Sequence, residues 1–135
     1  MESEDMYMRV LIVEPEKRPY AKDIDSDLQS MQEVVGGLIQ AVYPFEEPVA
    51  LICNEEGKLL NLPLNRALRE PGSNHIYDVV VGTFFLCGAP SNSENFESLT
   101  EEQIRRYSEV YVVPEVFCYS HGRLLVFEGE EEKHG

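Results

Sequence analysis

Short apolar runs bounded by turn-forming residues are the feature that most limits how this chain can fold. Residues 8–13 (MRVLIV), 49–53 (VALIC) and 76–87 (IYDVVVGTFFLC) are rich in β-branched residues and end beside Glu-Pro, Asn or Gly. Runs of this length and composition are typical of strands buried in a sheet. Gly82 interrupts the longest run, which predicts a bulge or a close backbone approach within one strand.

The polar segment after residue 53 predicts a β-hairpin. Residues 49–53 and 58–62 flank a loop that ends in Gly57, a residue that adopts positive φ at little cost. Because Pro63 has no amide hydrogen, regular pairing is expected to stop before it. Residues 64–68 are then expected to form a turn or a short helical segment.

An apolar stripe at helical spacing predicts one long amphipathic helix over residues 26–42. The stripe recurs at steps of three and four and consists of Leu28, Met31, Val35, Leu38 and Val42. Gly36 and Gly37 lie inside this segment, where each glycine costs about 1 kcal/mol relative to alanine. Close packing against a sheet is the expected compensation, and a break in the helix is the alternative.

The remaining patterns predict an α+β fold. Residues 20–24 and 123–127 are predicted strands, and the sequence TEEQ beginning at Thr100 matches a capping box. The capping box predicts a second, shorter helix over residues 100–111. We therefore expect a mixed, mainly antiparallel sheet with the long amphipathic helix on one face.

Acidic residues dominate the charge of the chain. The formal net charge is −14, and part of it lies in acidic tails at residues 1–7 and 128–135, which flank a single domain predicted at residues 8–127. A surface of this sign repels nucleic acid and anionic lipid, so a basic protein is the expected macromolecular partner. The alternative is that the acidic surface only keeps the protein soluble.

The cysteines and histidines form no metal or redox pattern. Cys53, Cys87 and Cys118 are widely spaced beside apolar residues, which predicts reduced, buried thiols and a cytoplasmic location. Neither a nucleophile elbow nor a glycine-rich phosphate loop occurs, and no apolar segment approaches the roughly 20 residues that span a bilayer. We therefore expect no metal, no cofactor, no membrane insertion and no catalytic residues.

Four positions are candidates for contact with a ligand or partner. Arg66 offers planar donors to a carboxylate or phosphate, and Asn65 precedes it. Gly82 permits a close backbone approach, and Thr83 beside it offers a hydroxyl. The alternative is structural: an acidic partner in the same chain for Arg66, a turn or cap for Asn65, and a bulge at Gly82.

Five segments in a fixed order resemble one uncharacterised domain-of-unknown-function family. They are MRVLIVEPEKRP, LQSMQEVVGGLIQAV, CNEEGKLLNLPLNRAL, YDVVVGTFFLCG and LTEEQIRRY. The family is found in Gram-positive gut bacteria, their phages and conjugative elements, and the resemblance covers about residues 8–117. It implies a mobile-element setting and brings no established catalytic residues.

In that setting, we expect a non-catalytic binding protein that modulates or inhibits host machinery, such as a defence system, through its acidic surface. The alternative is a protein that binds and sequesters a small ligand, such as a nucleotide signal, near Asn65, Arg66 and the Gly82 strand. A small enzyme is the third and least supported class. Exposed strand edges could also join two copies in a homodimer.

Overall fold

The computed structural model describes residues 7–129, which form nine strands and two helices. In chain order these are β1 (Tyr7–Val13), β2 (Tyr20–Asp25), α1 (Leu28–Val35), β3 (Ile39–Val42), β4 (Val49–Asn54), β5 (Leu64–Arg69), β6 (Ile76–Val81), β7 (Phe84–Gly88), α2 (Glu101–Val110), β8 (Glu115–Ser120) and β9 (Arg123–Glu128).

Five strands form an antiparallel sheet in the order β2-β1-β7-β4-β3. Every residue of the central strand β7 is buried, and so is most of β1 and β4. These are the apolar runs of the sequence, and their continuous apolar character follows from cover on both faces of the sheet. The pairs β5–β6 and β8–β9 form two further antiparallel sheets.

Two apolar cores lie on the two faces of the five-stranded sheet because successive side chains of a strand point to opposite sides. On one face, Ile52 and Phe85 pack with Met31 and Val35 of α1. The other core joins this sheet to α2 and to the β5–β6 pair, through Leu51, Phe84, Leu86, Leu68, Val80, Tyr107 and Tyr111. The α+β class is thus confirmed, and the pairings between these strands are all antiparallel.

The long helix predicted over residues 26–42 is wrong. The helix is α1, which starts after the N-cap Asp27 and ends at Gly36, whose φ of 80° is left-handed. The amides of Gly36 and Gly37 both donate to the Gln32 oxygen, which completes the helix end. The chain then forms β3, so the two glycines mark the break that was the alternative interpretation.

The predicted hairpin is also wrong. β4 pairs with β3 and β7, and residues 55–61 form turns instead of a returning strand. Pro63 comes before a strand rather than after one, because β5 starts at Leu64. The predicted single strand over residues 76–87 is two strands, β6 and β7, which belong to different sheets and meet at Gly82.

Several shorter predictions are confirmed. β1, β2 and β9 lie within one residue of their predicted bounds, and Thr100 forms the capping box of α2 with Gln103. The expectation of buried thiols holds for Cys87, whereas Cys53 is half-buried and Cys118 is exposed. Most of both predicted acidic tails lies outside the described residues. In the part of the chain that the structure describes, neither helix has the length and apolar character needed to span a bilayer.

Candidate functional site

A bulge in β5 directs two consecutive residues, Asn65 and Arg66, into the interior. The pairing with β6 shifts register between Leu64 and Arg66, so Asn65 is the extra residue and both side chains are buried. Asn65 Nδ2 donates to the backbone oxygens of Val13 (2.9 Å) and Gly82 (2.8 Å). This amide therefore ties β5 to β1 and to the junction between β6 and β7.

The Arg66 guanidinium is buried and bonds to neutral oxygens. Nη2 donates to the backbone oxygens of Lys17 (2.7 Å) and Tyr111 (2.8 Å), and Nη1 donates to Asn65 Oδ1 (2.8 Å). Burial lowers the pKa of Arg66, and the charge of nearby Glu115 acts in the opposite direction. Within the described residues, Arg66 Nε has no hydrogen-bond partner.

Three of the four positions predicted from the sequence are brought together. Asn65, Arg66 and Gly82 are joined by the bonds of the Asn65 side chain, and Thr83 follows in the chain, half-buried. The contacts of Asn65 agree with a structural role, although the partners are distant backbone atoms rather than a local turn. A binding role for these residues stays a prediction.

A groove of about 880 Å³, the α2–β5 groove, lies between α2, β5 and the segment before β4. Pockets for small molecules commonly have volumes of roughly 300–1,000 Å³. The charged and aromatic residues that line it are Arg66, Arg69, Arg106, Glu46, Glu47, Glu115, Phe45, Tyr77, Tyr107 and Tyr111. Three of the chain's 11 basic residues thus lie in one groove, where they balance three carboxylates.

One side of the groove is organised by the carboxylate of Glu47, just before β4. It accepts hydrogen bonds from Tyr107 Oη (2.6 Å), Gln103 Nε2 (3.0 Å) and Arg106 Nη1, all on α2. These donors, Arg106 foremost, lower the pKa of Glu47 to about 2. The carboxylate therefore stays ionised at neutral pH and fixes the segment before β4 against α2.

The opposite side is organised by the carboxylate of Glu115, at the start of β8. Oε1 accepts the backbone amide of Ala67 (2.6 Å), and Oε2 accepts Arg69 Nη1 (2.8 Å). The Glu115 side chain is only 9% exposed. A backbone amide and a guanidinium on β5 therefore form a small anion-binding site, which a carboxylate of the same chain fills.

Aromatic rings supply the apolar part of the groove. The rings of Phe45 and Tyr107 meet edge-to-face with centroids 4.8 Å apart, and the Arg106 guanidinium lies 5.4 Å from the centroid of the Tyr107 ring. Burial raises the pKa of both Tyr107 and Tyr111, so their phenols stay neutral. Tyr77, on β6, also lines the groove and is half-exposed.

Sequence reasoning missed most of this groove. Of the four predicted positions, Arg66 lines it, whereas Asn65, Gly82 and Thr83 do not. Glu47 and Arg106 lie 59 residues apart, and neither belongs to a motif with fixed spacing. The basic pair at residues 105–106, inside a predicted helix, is the one sequence pattern that points to this part of the groove. It does not indicate which of the two residues faces the groove.

The polar side chains of the groove are guanidinium groups, carboxylates, phenols and one amide. Among the residues that the structure describes, its lining includes no Ser, Thr, Cys or His. Across residues 7–129, no cluster of three or more His, Cys, Asp or Glu side chains is arranged to hold a metal ion. The groove offers guanidinium donors, carboxylates and aromatic rings, which is chemistry suited to binding.

Comparison with known proteins gives one match. No curated protein and no solved structure is significantly similar to the chain. The sequence profile of DUF3846, a domain of unknown function, matches residues 8–112. The matched region contains β1 to β7 and α2, and it ends before the β8–β9 hairpin. Because the match extends over most of the chain, the protein belongs to the DUF3846 family of domains of unknown function.

Proposed function

We propose that this protein is a non-catalytic binding protein that holds a small anionic aromatic molecule, a nucleotide, in the α2–β5 groove. The observation that supports this most is the concentration of three arginines and four aromatic rings in one groove of a chain whose net charge is −14. Guanidinium groups bind phosphate through charge-assisted hydrogen bonds, and aromatic rings stack on bases.

The arginines of the groove are held in place and retain free donors. Arg69 and Arg106 each bond a carboxylate through Nη1, while their side chains stay 34% and 46% exposed. A guanidinium has five N–H donors, so a ligand phosphate can bind the nitrogens that face the groove. Because the carboxylates fix both side chains beforehand, binding costs little side-chain entropy.

Binding without chemistry fits the titratable groups of the groove. A general base works best with a pKa near the working pH, and the pKa of Glu47 is about 2. The lining supplies neither imidazole nor thiol. We therefore propose that the ligand leaves the groove unchanged.

The biological setting is part of the same proposal. The resemblance to a family of Gram-positive gut bacteria, their phages and conjugative elements supports a protein of a mobile element. Such a protein would act in the host cytoplasm and would sequester a nucleotide signal of a host defence system. Sequestration needs retention of the signal and no turnover, which suits this groove.

The test compares nucleotide retention by the unmodified protein with retention by variants at two adjacent arginines, of which one lines the groove and the other does not. We expect mass spectrometry of the denatured protein to recover an intact nucleotide after incubation with nucleoside phosphates and cyclic nucleotides. Arg106→Gln and Tyr77→Ala should each weaken binding about tenfold, a loss of about 1.4 kcal/mol. Arg105→Gln is the matched control, because Arg105 is exposed on α2 and does not line the groove.

Retention of no nucleotide by the unmodified protein would overturn the proposal. An equal loss of affinity in Arg105→Gln and Arg106→Gln would place the binding outside the groove. Recovery of a hydrolysed nucleotide would replace a binding protein with an enzyme. Circular dichroism of each variant establishes that the fold is retained.

A second candidate function is supported by acidic residues outside the groove. Asp25, Asp27 and Glu33, on or beside β2 and α1, are exposed, and none of them forms an ion pair within residues 7–129. We propose, as the alternative to a ligand in the groove, that this acidic surface binds a basic host protein. Charge complementarity of this kind makes complex formation sensitive to salt.

A further inference from the structure

We propose that the site filled by Glu115 is the anion subsite of the α2–β5 groove, and that a phosphate group of the ligand takes the place of the Glu115 carboxylate. This inference rests on the proposed function and makes it more specific. It assigns a position to the ligand phosphate and a regulatory role to the β8–β9 hairpin.

The subsite has the donors that a phosphate oxygen requires. The Ala67 amide and Arg69 Nη1 each donate to one oxygen of the Glu115 carboxylate, at 2.6 and 2.8 Å. Phosphate and carboxylate oxygens accept such bonds in the same way, so one can replace the other.

A second positive charge favours an anion at this position. Arg66 lines the same groove, is 2% exposed, and has no carboxylate among its hydrogen-bond partners. Its Nε is buried without a partner in the described part of the chain. An anion carrying more than one negative charge would compensate Arg66 and Arg69 better than the single charge of Glu115 does.

The residue that fills the subsite belongs to a weakly held element. None of the residues of β8 and β9 is fully buried, and an isolated two-stranded hairpin is marginally stable in water. Within residues 7–129, the side-chain hydrogen bonds between this hairpin and the rest of the protein are the two that Glu115 accepts. A ligand that displaces Glu115 therefore removes the polar attachment of the hairpin.

Glu115→Gln tests this exchange with ATP as the probe. The amide keeps the shape of the side chain but removes the negative charge that competes with the ligand. We expect Glu115→Gln to bind ATP at least about tenfold more tightly than the unmodified protein, which corresponds to about 1.4 kcal/mol. Glu115→Asp keeps the charge and should not tighten binding. Glu109→Gln, on the exposed side of α2, is the control for the change in net charge.

Hydrogen exchange of the hairpin gives an independent readout. ATP should speed amide exchange in β8 and β9 of the unmodified protein, and Glu115→Gln should show faster exchange without ligand. If the unmodified protein binds ATP and Glu115→Gln binds it equally or more weakly, the replacement of the Glu115 carboxylate by phosphate is overturned while the proposed function stands. If ATP slows exchange in the hairpin, the displacement is overturned as well. If no variant binds ATP, the replacement of the Glu115 carboxylate by phosphate is overturned, and the proposed function fails as well only if the protein retains none of the other nucleotides.

Discussion

Single carboxylates hold distant parts of this protein together, and Glu47 is the clearest example. Its side chain accepts hydrogen bonds from three residues of α2, and those bonds fix the segment before β4 against that helix. Because all three donors favour the ionised form, the pKa of Glu47 falls from its ordinary value of 4.5 to about 2. Folding stability must therefore depend on whether this one group is ionised.

The pH dependence of stability tests the role of Glu47. A depressed pKa in the folded state contributes stability above pH 4.5, and this contribution is lost as the pH falls toward 2. We expect Glu47→Gln to lower the free energy of unfolding by about 1–2 kcal/mol at pH 7, after allowance for solvent screening. The difference should shrink toward zero near pH 2, as measured by urea unfolding.

Glu46→Gln is the matched control for this measurement. Glu46 is adjacent and exposed, and it forms no salt bridge or side-chain hydrogen bond within the described residues. Its substitution should leave the free energy of unfolding nearly unchanged at both pH values. A deficit in Glu47→Gln that is as large at acid pH as at neutral pH would contradict the ionisation argument.

At the scale of elements, glycines with positive φ lie where α1 ends and where the chain passes from β6 to β7. Gly82 has a φ of 76° and lies where the chain leaves β6 for the five-stranded sheet. A Cβ atom there would lie 2.7 Å from Leu62 Cδ1, inside contact distance. The junction therefore needs glycine for its backbone conformation, and a Cβ atom there would also require the Leu62 side chain to shift.

Two glycine substitutions separate these requirements. Gly72 also has a positive φ, 88°, but a Cβ added there meets no atom within 4 Å. We expect Gly72→Ala to cost about 1 kcal/mol for backbone strain alone, and Gly82→Ala to cost about 1–3 kcal/mol more because of the clash. Urea unfolding of both variants gives the comparison, and equal losses would show that the contact with Leu62 relaxes without cost.

The same elements show what the sequence can and cannot predict. β1 is predictable because apolar β-branched runs need cover on both faces, and α2 because its cap is a local hydrogen-bond pattern, whereas the run over residues 76–87 does not reveal its division into β6 and β7. The predicted helix over residues 26–42 includes β3, because the apolar residues of β3 continue the helical spacing past Gly36. Periodicity alone therefore does not reveal the break. β5 was missed because a bulge at Asn65 destroys the alternation that marks a strand.

The groove was still less predictable, for a physical reason. Its residues come from separate parts of the chain, and two of its arginines, Arg69 and Arg106, are paired with glutamates far away in sequence. The sequence makes Arg66 a candidate contact residue, but the partners observed in the structure are mainly backbone oxygens, which every residue has and no motif records. Only the fold brings these atoms together.

At the scale of the whole molecule, the net charge of −14 governs what can approach. Long-range repulsion slows polyanions and favours basic proteins, whereas the groove, where three arginines balance three carboxylates, is locally neutral and is our proposed site for a compact anion. Under the two proposals, the groove and the acidic surface would therefore select different classes of partner.

Salt dependence distinguishes binding at the acidic surface from binding in the groove. If a basic host protein is the partner, its capture by the immobilised protein should fall steeply as salt rises from low to physiological concentration. Replacing Asp25, Asp27 and Glu33 by their amides should reduce capture, while Arg106→Gln should not. Capture that is independent of salt and of these substitutions would contradict an electrostatic partner surface.

The bonds of Arg66 also bear on the order in which the protein is made. The guanidinium leaves the ribosome long before Tyr111, whose backbone oxygen lies 45 residues further along the chain. Until the Tyr111 oxygen is available, the Arg66 guanidinium lacks one of its hydrogen-bond acceptors, and water must solvate its charge. We therefore expect the interior around β5 to close only after the chain has been made as far as Tyr111, the residue that caps α2.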